Sequence, residues 1–298
     1  MDAPLNHIFF PISFNELFST WDHFPEAVPY AGGTDLIGRQ GKNIINLPKV
    51  ILCLDKLAEL HRVTRTEQYL EIGSMVNLNT LIRLGKISRS AETGNGRKDF
   101  LAAEKTPAIV PKILSTCLEN IAGIQLRNTA TIGGNICSAS YLYDLAAPFT
   151  ALDAQYELRS ANTSRWVSAL WFHSSGERVL ESQELLTRVR LPLYQWDYSI
   201  YKKFRNDDLF SNEILIFLAK AQKNILTDIK VVYKANTILR NKNGEDILNG
   251  KILPLSRKMA LDFLQNWQDF LGNRSDITEF SKNAIISNIE ENVFILSE

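Results

Sequence analysis

Arg127-Asn-Thr-Ala-Thr-Ile-Gly-Gly-Asn-Ile136 and, earlier in the chain, Ala31-Gly-Gly-Thr-Asp-Leu36 are the two stretches on which a reading of this sequence turns. Each sets a Gly-Gly pair after an extended stretch and follows it with a short polar residue. Paired glycines admit positive φ angles and let a ligand approach the main chain closely. Consecutive N–H groups can then converge on an anion. Thr34, Thr131 and Asn135 can add side-chain hydrogen bonds. A pyrophosphate, with its many acceptor oxygens, suits such donors, and two loops from distant parts of the chain can hold one diphosphate from both sides. Taken singly, each pair also reads as a tight turn. Neither loop is a Gly-x-Gly-x-x-Gly following a strand, so a Rossmann site is unsupported. No Gly-Lys-Ser or Gly-Lys-Thr occurs, which excludes a P-loop.

Outward from these loops, Ser13-Phe-Asn-Glu16 has the form of a capping box, with Phe14, Leu17, Phe18 and Trp21 on one helical face. Pro25 and Pro29 close that helix. Val50–Leu54 and Tyr69–Gly73 read as strands, and Asn77–Leu84 as a helix ending at Gly85. The polar stretch 88–105 reads as a mobile surface loop. Thr106 and Pro107 are placed to start a helix whose apolar face holds Ile109, Ile113, Leu114, Cys117 and Leu118; Cys117 reads as a small core residue. Asp144–Ala154 reads as helical, and Gln155–Leu158 and Leu185–Leu191 as strands. Beyond a boundary near residues 190–200, Ile229–Tyr233 is strand-like. Ser256–Leu271 is an amphipathic helix that Gly272 can stop, and Asp276 and Glu279 are candidate caps of a last helix.

Composition narrows the function classes. The chain has 298 residues, enough for two domains, with 45% hydrophobic and 22% charged residues. Lys plus Arg and Asp plus Glu each total 33, so no basic excess points to nucleic acid or a membrane surface. Cys53, Cys117 and Cys137 are too few and too scattered for a disulfide framework, which fits a reducing compartment. Residues 1–10 carry no signal-peptide pattern. The longest apolar runs, such as Glu213-Ile-Leu-Ile-Phe-Leu-Ala219, fall far short of the roughly 18 residues of a membrane span. The expectation is a soluble, cytoplasmic chain. His7, His23, His61 and His173 are scattered and suggest no metal site, and no acid–base pair is evident.

In this order and at this separation, the two loops resemble the flavin domain of molybdenum-containing hydroxylases, a family that includes the medium subunits of xanthine dehydrogenase and carbon monoxide dehydrogenase. The first family motif resembles residues 31–36. The second, Gln-x-Arg-Asn-x-x-Thr-Ile-Gly-Gly-Asn-Ile, is matched by Gln125, Arg127, Asn128 and Thr131 to Ile136. Asp144-Leu followed by Ala151-Leu-Asp-Ala154, then Glu184-Leu-Leu186 before Leu191-Pro192, and Tyr201-Lys-Lys-Phe204 fit later features. The resemblance covers residues 5–205 well and the remainder weakly.

The resemblance implies an α+β fold: a two-lobed FAD-binding domain of the vanillyl-alcohol-oxidase (PCMH) type over residues 1–190, with lobes at about 1–57 and 58–190, and a smaller C-terminal α/β domain over 191–298. It implies FAD as cofactor. Pro29, Tyr30, Ala31, Gly32, Gly33, Thr34, Asp35 and Leu36 would form the first cofactor loop, and Thr131, Gly133, Gly134 and Asn135 the second. Ile121 would lie beside the cofactor, Asp144 and Lys202 would contact it, and Leu186 would pack on it. Read by itself, Asp144 serves equally well as a helix N-cap, and Lys202 as a solvated lysine. The implied function is an electron-transferring oxidoreductase subunit, xanthine dehydrogenase-like, beside a molybdopterin-binding large subunit and a two-iron, two-sulfur small subunit, with NAD as acceptor. Carbon monoxide, nicotinate or aldehyde hydroxylases and a scaffold without flavin are the alternatives. An extra iron–sulfur cluster in this chain is disfavoured, since it would need four cysteines. Two departures stand out. Ser140-Tyr-Leu-Tyr-Asp144 replaces Ser-Pro-x-x-Asp, and Lys234-Ala235 stands near the place of an Arg-x-x-x-Gly pattern.

Overall fold

A computed structural model describes residues 7–38, 47–92, 110–138, 143–174, 179–205 and 212–297. The chain divides into two compact units, one formed by residues 1–145 and 152–193 and the other by 146–151 and 194–298.

The first unit opens with a parallel three-stranded sheet of β1 (His7–Phe9), β2 (Val28–Tyr30) and β3 (Val50–Cys53), in the order β1-β3-β2. Helix α1 (Phe14–His23) covers it. Ser13 caps α1 as expected: its Oγ accepts from Glu16 N at 3.2 Å, and Glu16 Oε2 accepts from Ile12 N at 2.8 Å. Phe14, Leu17, Phe18 and Trp21 are all buried, in one cluster with Leu52, Leu54 and Leu57. At about 1.5–3 kcal/mol for each large side chain removed from water, that face accounts for the helix docking where it does.

The same unit carries an antiparallel five-stranded sheet, order β4-β5-β8-β6-β7. Its strands are β4 (Val63–Arg65), β5 (Tyr69–Gly73), β6 (Gln155–Arg159), β7 (Ser164–Ser168) and β8 (Leu185–Pro192). Alternation along β8 turns Val189 and Leu191 inward. Arg188 and Arg190 lie on the other face with Glu71 and Glu157. Arg188 Nε and Nη2 each reach Glu157 at 2.8 Å, and Arg190 Nε reaches Glu71 at 2.9 Å. Burial would raise the Glu157 carboxyl, but hydrogen bonds from Arg188, Thr187 and Ser164 outweigh it and hold the group below its ordinary range.

Helix α3 (Leu78–Glu92) does not stop at Gly85. A Cβ there would stand 2.7 Å from Ser115 Oγ, so this glycine gives clearance for α4 (Lys112–Glu119) instead of ending a helix. The proposed start of α4 at Thr106 and Pro107, Ile109, and most of the 88–105 stretch lie outside the described residues; Pro111 holds the N-cap position. Helix α8 (Ala169–Ser174) follows β7 and carries His173. Its Nε2 lies 2.9 Å from the Tyr156 hydroxyl, and burial pushes the imidazole down to about 3, so it stays neutral and can accept.

In the second unit an antiparallel sheet runs β12-β11-β10-β9. It is built from β9 (Tyr198–Arg205), β10 (Asn212–Gln222), β11 (Ile225–Lys234) and β12 (Ile238–Arg240). Helices α10 (Arg257–Gly272) and α11 (Glu279–Ile295) bury Phe263, Trp267, Ile285 and Ile289 against Leu215, Phe217, Val231 and Tyr233. The short α7 (Ala146–Ala151), shorter than the 144–154 helix expected, packs on β10 and β11. Ile214 to Ala219 are buried at every position, which is why β10 reads as an unbroken apolar run. Ser256 caps α10, its Oγ accepting from Met259 N. Thr278 caps α11, not Asp276, whose carboxylate instead takes 2.8 and 2.9 Å hydrogen bonds from Arg274.

An internal ion pair anchors α9 (Lys242–Leu248) to this sheet. Arg240 Nε and Nη2 each lie 2.9 Å from a Glu245 oxygen, Glu245 Oε1 accepts from Val231 N at 3.0 Å, and Arg240 Nη1 donates to Thr150 O at 3.1 Å. Burial raises the Glu245 pKa despite Arg240. Removing one partner of such a pair strands the other charge. Arg240→Met is expected to lower the unfolding free energy by about 3–5 kcal/mol in urea titrations. The double change Arg240→Met/Glu245→Leu should recover most of it.

Candidate functional site

The first glycine loop leaves β2 at Tyr30 and enters the five-residue helix α2 (Thr34–Gly38). Gly33 has φ +67°, a left-handed value that only glycine adopts freely, and a Cβ there would overlap the Tyr30 ring and hydroxyl. Among the described residues no acceptor takes the main-chain N–H of Gly32, Gly33 or Thr34.

The second loop is α5 (Ile124–Thr129) followed by α6 (Ile132–Ile136). Its main chain is stitched to residues 74–78. Ile132 N donates to Val76 O at 3.0 Å, Gly133 N to Ser74 O at 2.7 Å, and Leu78 N to Ala130 O at 3.0 Å. Thr131 caps α6, its Oγ1 accepting from Gly134 N at 3.0 Å, and Asn135 N bonds Thr131 O at 3.0 Å. The N–H groups of Gly133, Gly134 and Asn135 are therefore taken by the protein, so the second loop does not present the converging main-chain donors that its glycine pair suggested. A Cβ on Gly133 would meet Ser74 Cβ at 2.8 Å. A Cβ on Gly134 would touch only Thr131 Oγ1, at 3.0 Å, and otherwise face open space.

Both loops line one cleft in the first unit. A part of about 280 Å³ is walled by Pro29 to Leu36, Thr131, Gly134, Cys137 and Ser138. A part of about 530 Å³ is walled by Trp21, Leu54, Met75, Gly133, Gly134 and Leu180 to Leu186. Val28, Pro29, Ala31, Gly134 and Cys137 belong to both parts. Thus Pro29 to Leu36, Thr131, Gly133, Gly134 and Leu186 are brought together.

The remaining candidates are not among the described residues that line these two parts. Asn135 Oδ1 accepts from Leu145 N at 3.4 Å. Ile121 is half-buried in a turn whose carbonyls are gathered by Arg127: Nη1 donates to Glu119 O, Ile121 O and Ala122 O at 3.2, 2.9 and 2.7 Å. Asp144 is buried, two residues before α7. Lys202 belongs to the second unit, where its Nζ lies 2.5 Å from Glu291 Oε2.

Sequence reasoning missed Cys137 and the partners of Asp35. The Tyr143 hydroxyl donates to Asp35 Oδ1 at 2.5 Å and Ser138 Oγ to Oδ2 at 3.4 Å. Cys137 faces the cleft, and burial pushes its thiol up to about 12, so it stays protonated. Its place two residues after Asn135 was the available signal. Tyr141, in the altered segment, lies outside the described residues. Among the described residues no group of three or more His, Cys, Asp or Glu is set to hold a metal, and no helix is long and apolar enough to cross a membrane.

Open N–H donors on one loop, a Thr hydroxyl and a glycine clearance on the other, and an apolar compartment alongside fit a dinucleotide with one diphosphate and ring systems. Known proteins agree. Residues 5–194 match the FAD binding domain in molybdopterin dehydrogenase, and the chain belongs to that family. The xanthine dehydrogenase FAD-binding subunit of Escherichia coli O157:H7 is 32% identical over 170 residues, 56% of this chain and 51% of that protein. The glyceraldehyde dehydrogenase medium chain of Sulfolobus acidocaldarius is 28% identical over 78% of this chain and 79% of its own length. Xanthine dehydrogenase 2 of Arabidopsis thaliana is 28% identical over 81% of this chain, which spans only 18% of that protein. Quinoline 2-oxidoreductase from Pseudomonas putida 86 shares the fold at TM-score 0.75 and 18% identity, covering 100% of this chain and 98% of that one. The carbon monoxide dehydrogenase chain from Hydrogenophaga pseudoflava does so at 0.73 and 19%, covering 100% and 98%. The α+β fold expected from the sequence is thus the observed one.

The two kinds of glycine give opposite experimental signatures. Gly134→Val should leave the melting temperature near that of the parent and weaken FAD binding by at least about tenfold, because its side chain enters the cleft. Gly133→Val should lower the melting temperature as well, since it separates the loop from Ser74. Tyr143→Phe, which removes a charge-assisted hydrogen bond from Asp35, should weaken FAD binding severalfold in the same absorbance titration.

Proposed function

We propose that this chain is the FAD-carrying, electron-transferring subunit of a molybdenum hydroxylase, of the xanthine or purine dehydrogenase kind. Its partners would be a molybdopterin-binding large subunit and a two-iron, two-sulfur small subunit, with NAD as acceptor. The observation that carries the reading is the cleft in which the N–H groups of Gly32, Gly33 and Thr34, which have no acceptor among the described residues, share walls with Thr131 and Gly134. The family membership and the relatives that span most or half of their own length support it.

In this reading Gly32 to Thr34 donate to the diphosphate, and Thr131, whose hydroxyl accepts from Gly134, turns its own proton outward. Leu186 packs on a ring, Ile121 lies beside the cofactor, and Asp144 takes hydroxyl donors of the sugar or ribityl chain. FAD, when bound, supplies the redox centre; the chain's own part is to hold it, orient it and exclude water. An aldehyde hydroxylase is the second reading, favoured by the likeness to a glyceraldehyde dehydrogenase chain along most of the sequence.

The test is a titration of the purified apo chain with FAD and FMN, followed by visible absorbance. Tight binding of FAD with weak binding of FMN is the expected result, because only FAD carries a diphosphate. The loaded chain should oxidise NADH with an artificial acceptor and should not hydroxylate purines. Failure to bind either flavin, alone and in the co-expressed complex, would remove the reading.

A further inference from the structure

Residues 180–186 form one wall of the larger part of the cleft, and that wall is held in a conformation the chain resists. Gln183 has φ +56°, a left-handed value that a residue with a side chain keeps only where its surroundings enforce it. Two devices enforce it. Gln183 Nε2 donates to Trp21 O at 2.9 Å, tying the segment to α1. Arg165, on β7, forms a two-pronged pair with Glu184: Nε to Oε1 and Nη2 to Oε2, both 2.7 Å. The same Nη2 donates to Val179 O at 2.9 Å, and Glu184 Oε2 also accepts from Glu181 N at 3.0 Å. Arg165 therefore gathers both ends of the turn, residues 179 and 184, onto one guanidinium. The Glu184 side chain is 4% exposed, so its charge is shielded from solvent and depends on this partner.

The turn is also where the cleft ends and the sheet begins. Leu185 both lines the cleft and joins the core beneath α1, and Leu186, one residue on, lines the cleft as well. Glu184 immediately precedes both. A fold selected for stability alone has unstrained ways to enter a strand, and strain held at a cavity wall is a mark of a ligand clamp.

We propose that Arg165 and Glu184 are positioning residues that lock residues 179–186 as the fixed wall of the flavin cleft, so that retention of FAD depends on their ion pair. The proposal rests on the reading that this cleft takes FAD. It predicts that the pair acts on the rate at which FAD leaves, since a wall that loosens opens the exit without removing a phosphate donor.

The test uses the full chain carrying Arg165→Met, Glu184→Gln or Arg165→Lys, with Arg274→Met, which breaks an ion pair of the second unit, as control. FAD affinity is read by absorbance titration, FAD release by the return of flavin fluorescence, and folding by the melting temperature of the apo form. Arg165→Met and Glu184→Gln should each weaken FAD binding about tenfold or more, chiefly through faster release. Arg165→Lys should restore part of the loss, and Arg274→Met should change neither quantity. If the parent binds FAD and both variants bind and release it at the parent's rates, the proposal is wrong while the function stands; a lowered melting temperature alone would mean a purely structural pair. If the parent binds no flavin, both fall. Should a variant fail to fold, amide exchange of the parent decides: FAD should slow exchange across residues 180–186, and unchanged exchange there overturns the proposal.

Discussion

The cleft depends on one main-chain contact, the 2.7 Å hydrogen bond from Gly133 N to Ser74 O. It forms only because residue 133 has no Cβ to meet Ser74. Ser74 N is bonded in turn to Thr187 O on β8, and Met75 N to Leu60 O. The second glycine loop is thereby fixed to the five-stranded sheet and to the core beneath α1. The first loop meets it by the same means, since the Thr129 carbonyl stands where a Cβ of Gly32 would be. The absence of side chains at Gly32 and Gly133 thus lets two loops far apart in sequence approach closely enough to line one cleft.

For this cleft to take the diphosphate of FAD, as proposed, negative charge on the protein around it has to be controlled. Asp35 lies within the first loop and would repel such a ligand if its carboxylate faced it uncompensated. The hydroxyls of Tyr143 and Ser138 donate to both of its oxygens, which spreads the charge over a hydrogen-bonded network. Cys137, at the junction of the two compartments, meets the same requirement differently: burial keeps its thiol protonated and uncharged. Tyr143, in the segment where Tyr141 stands in place of the pattern's proline, thus serves as a partner of Asp35.

How far the sequence shows this is a matter of range. Helices α1 and α10 were legible because a capping serine and a one-sided apolar stripe are both local, and tertiary packing agrees with them. Gly85 misled because a glycine that clears a neighbouring helix looks the same in sequence as one that ends a helix. The cap of α11 fell to Thr278 because Asp276 is drawn to Arg274. At the site, the glycine loops were legible as motifs together with the family resemblance. Cys137 and the Arg165–Glu184 turn were not, because their roles exist only once β6, β7 and β8 lie side by side. The engaged N–H groups of the second loop were also invisible, since their acceptors lie on Ser74 and Thr131.

That last point bears on how the proposed ligand would be held. Two glycine pairs suggested main-chain donors from both loops, yet the donors are divided unequally. The first loop keeps the N–H groups of Gly32, Gly33 and Thr34 open. The second commits its own to the protein and leaves a hydroxyl and an empty space beside Gly134. In the proposed reading one side would supply hydrogen-bond donors and the other shape. Such a division suits a cofactor that must stay bound through changes of its own charge: rigid clearance does not weaken when the flavin is reduced. Of the glycines at the two loops, then, Gly32 and Gly133 make room for protein, Gly33 makes a turn, and Gly134 borders the cleft. At that last position alone of the four, an added Cβ would meet neither distant backbone nor a ring, only the Thr131 hydroxyl oxygen.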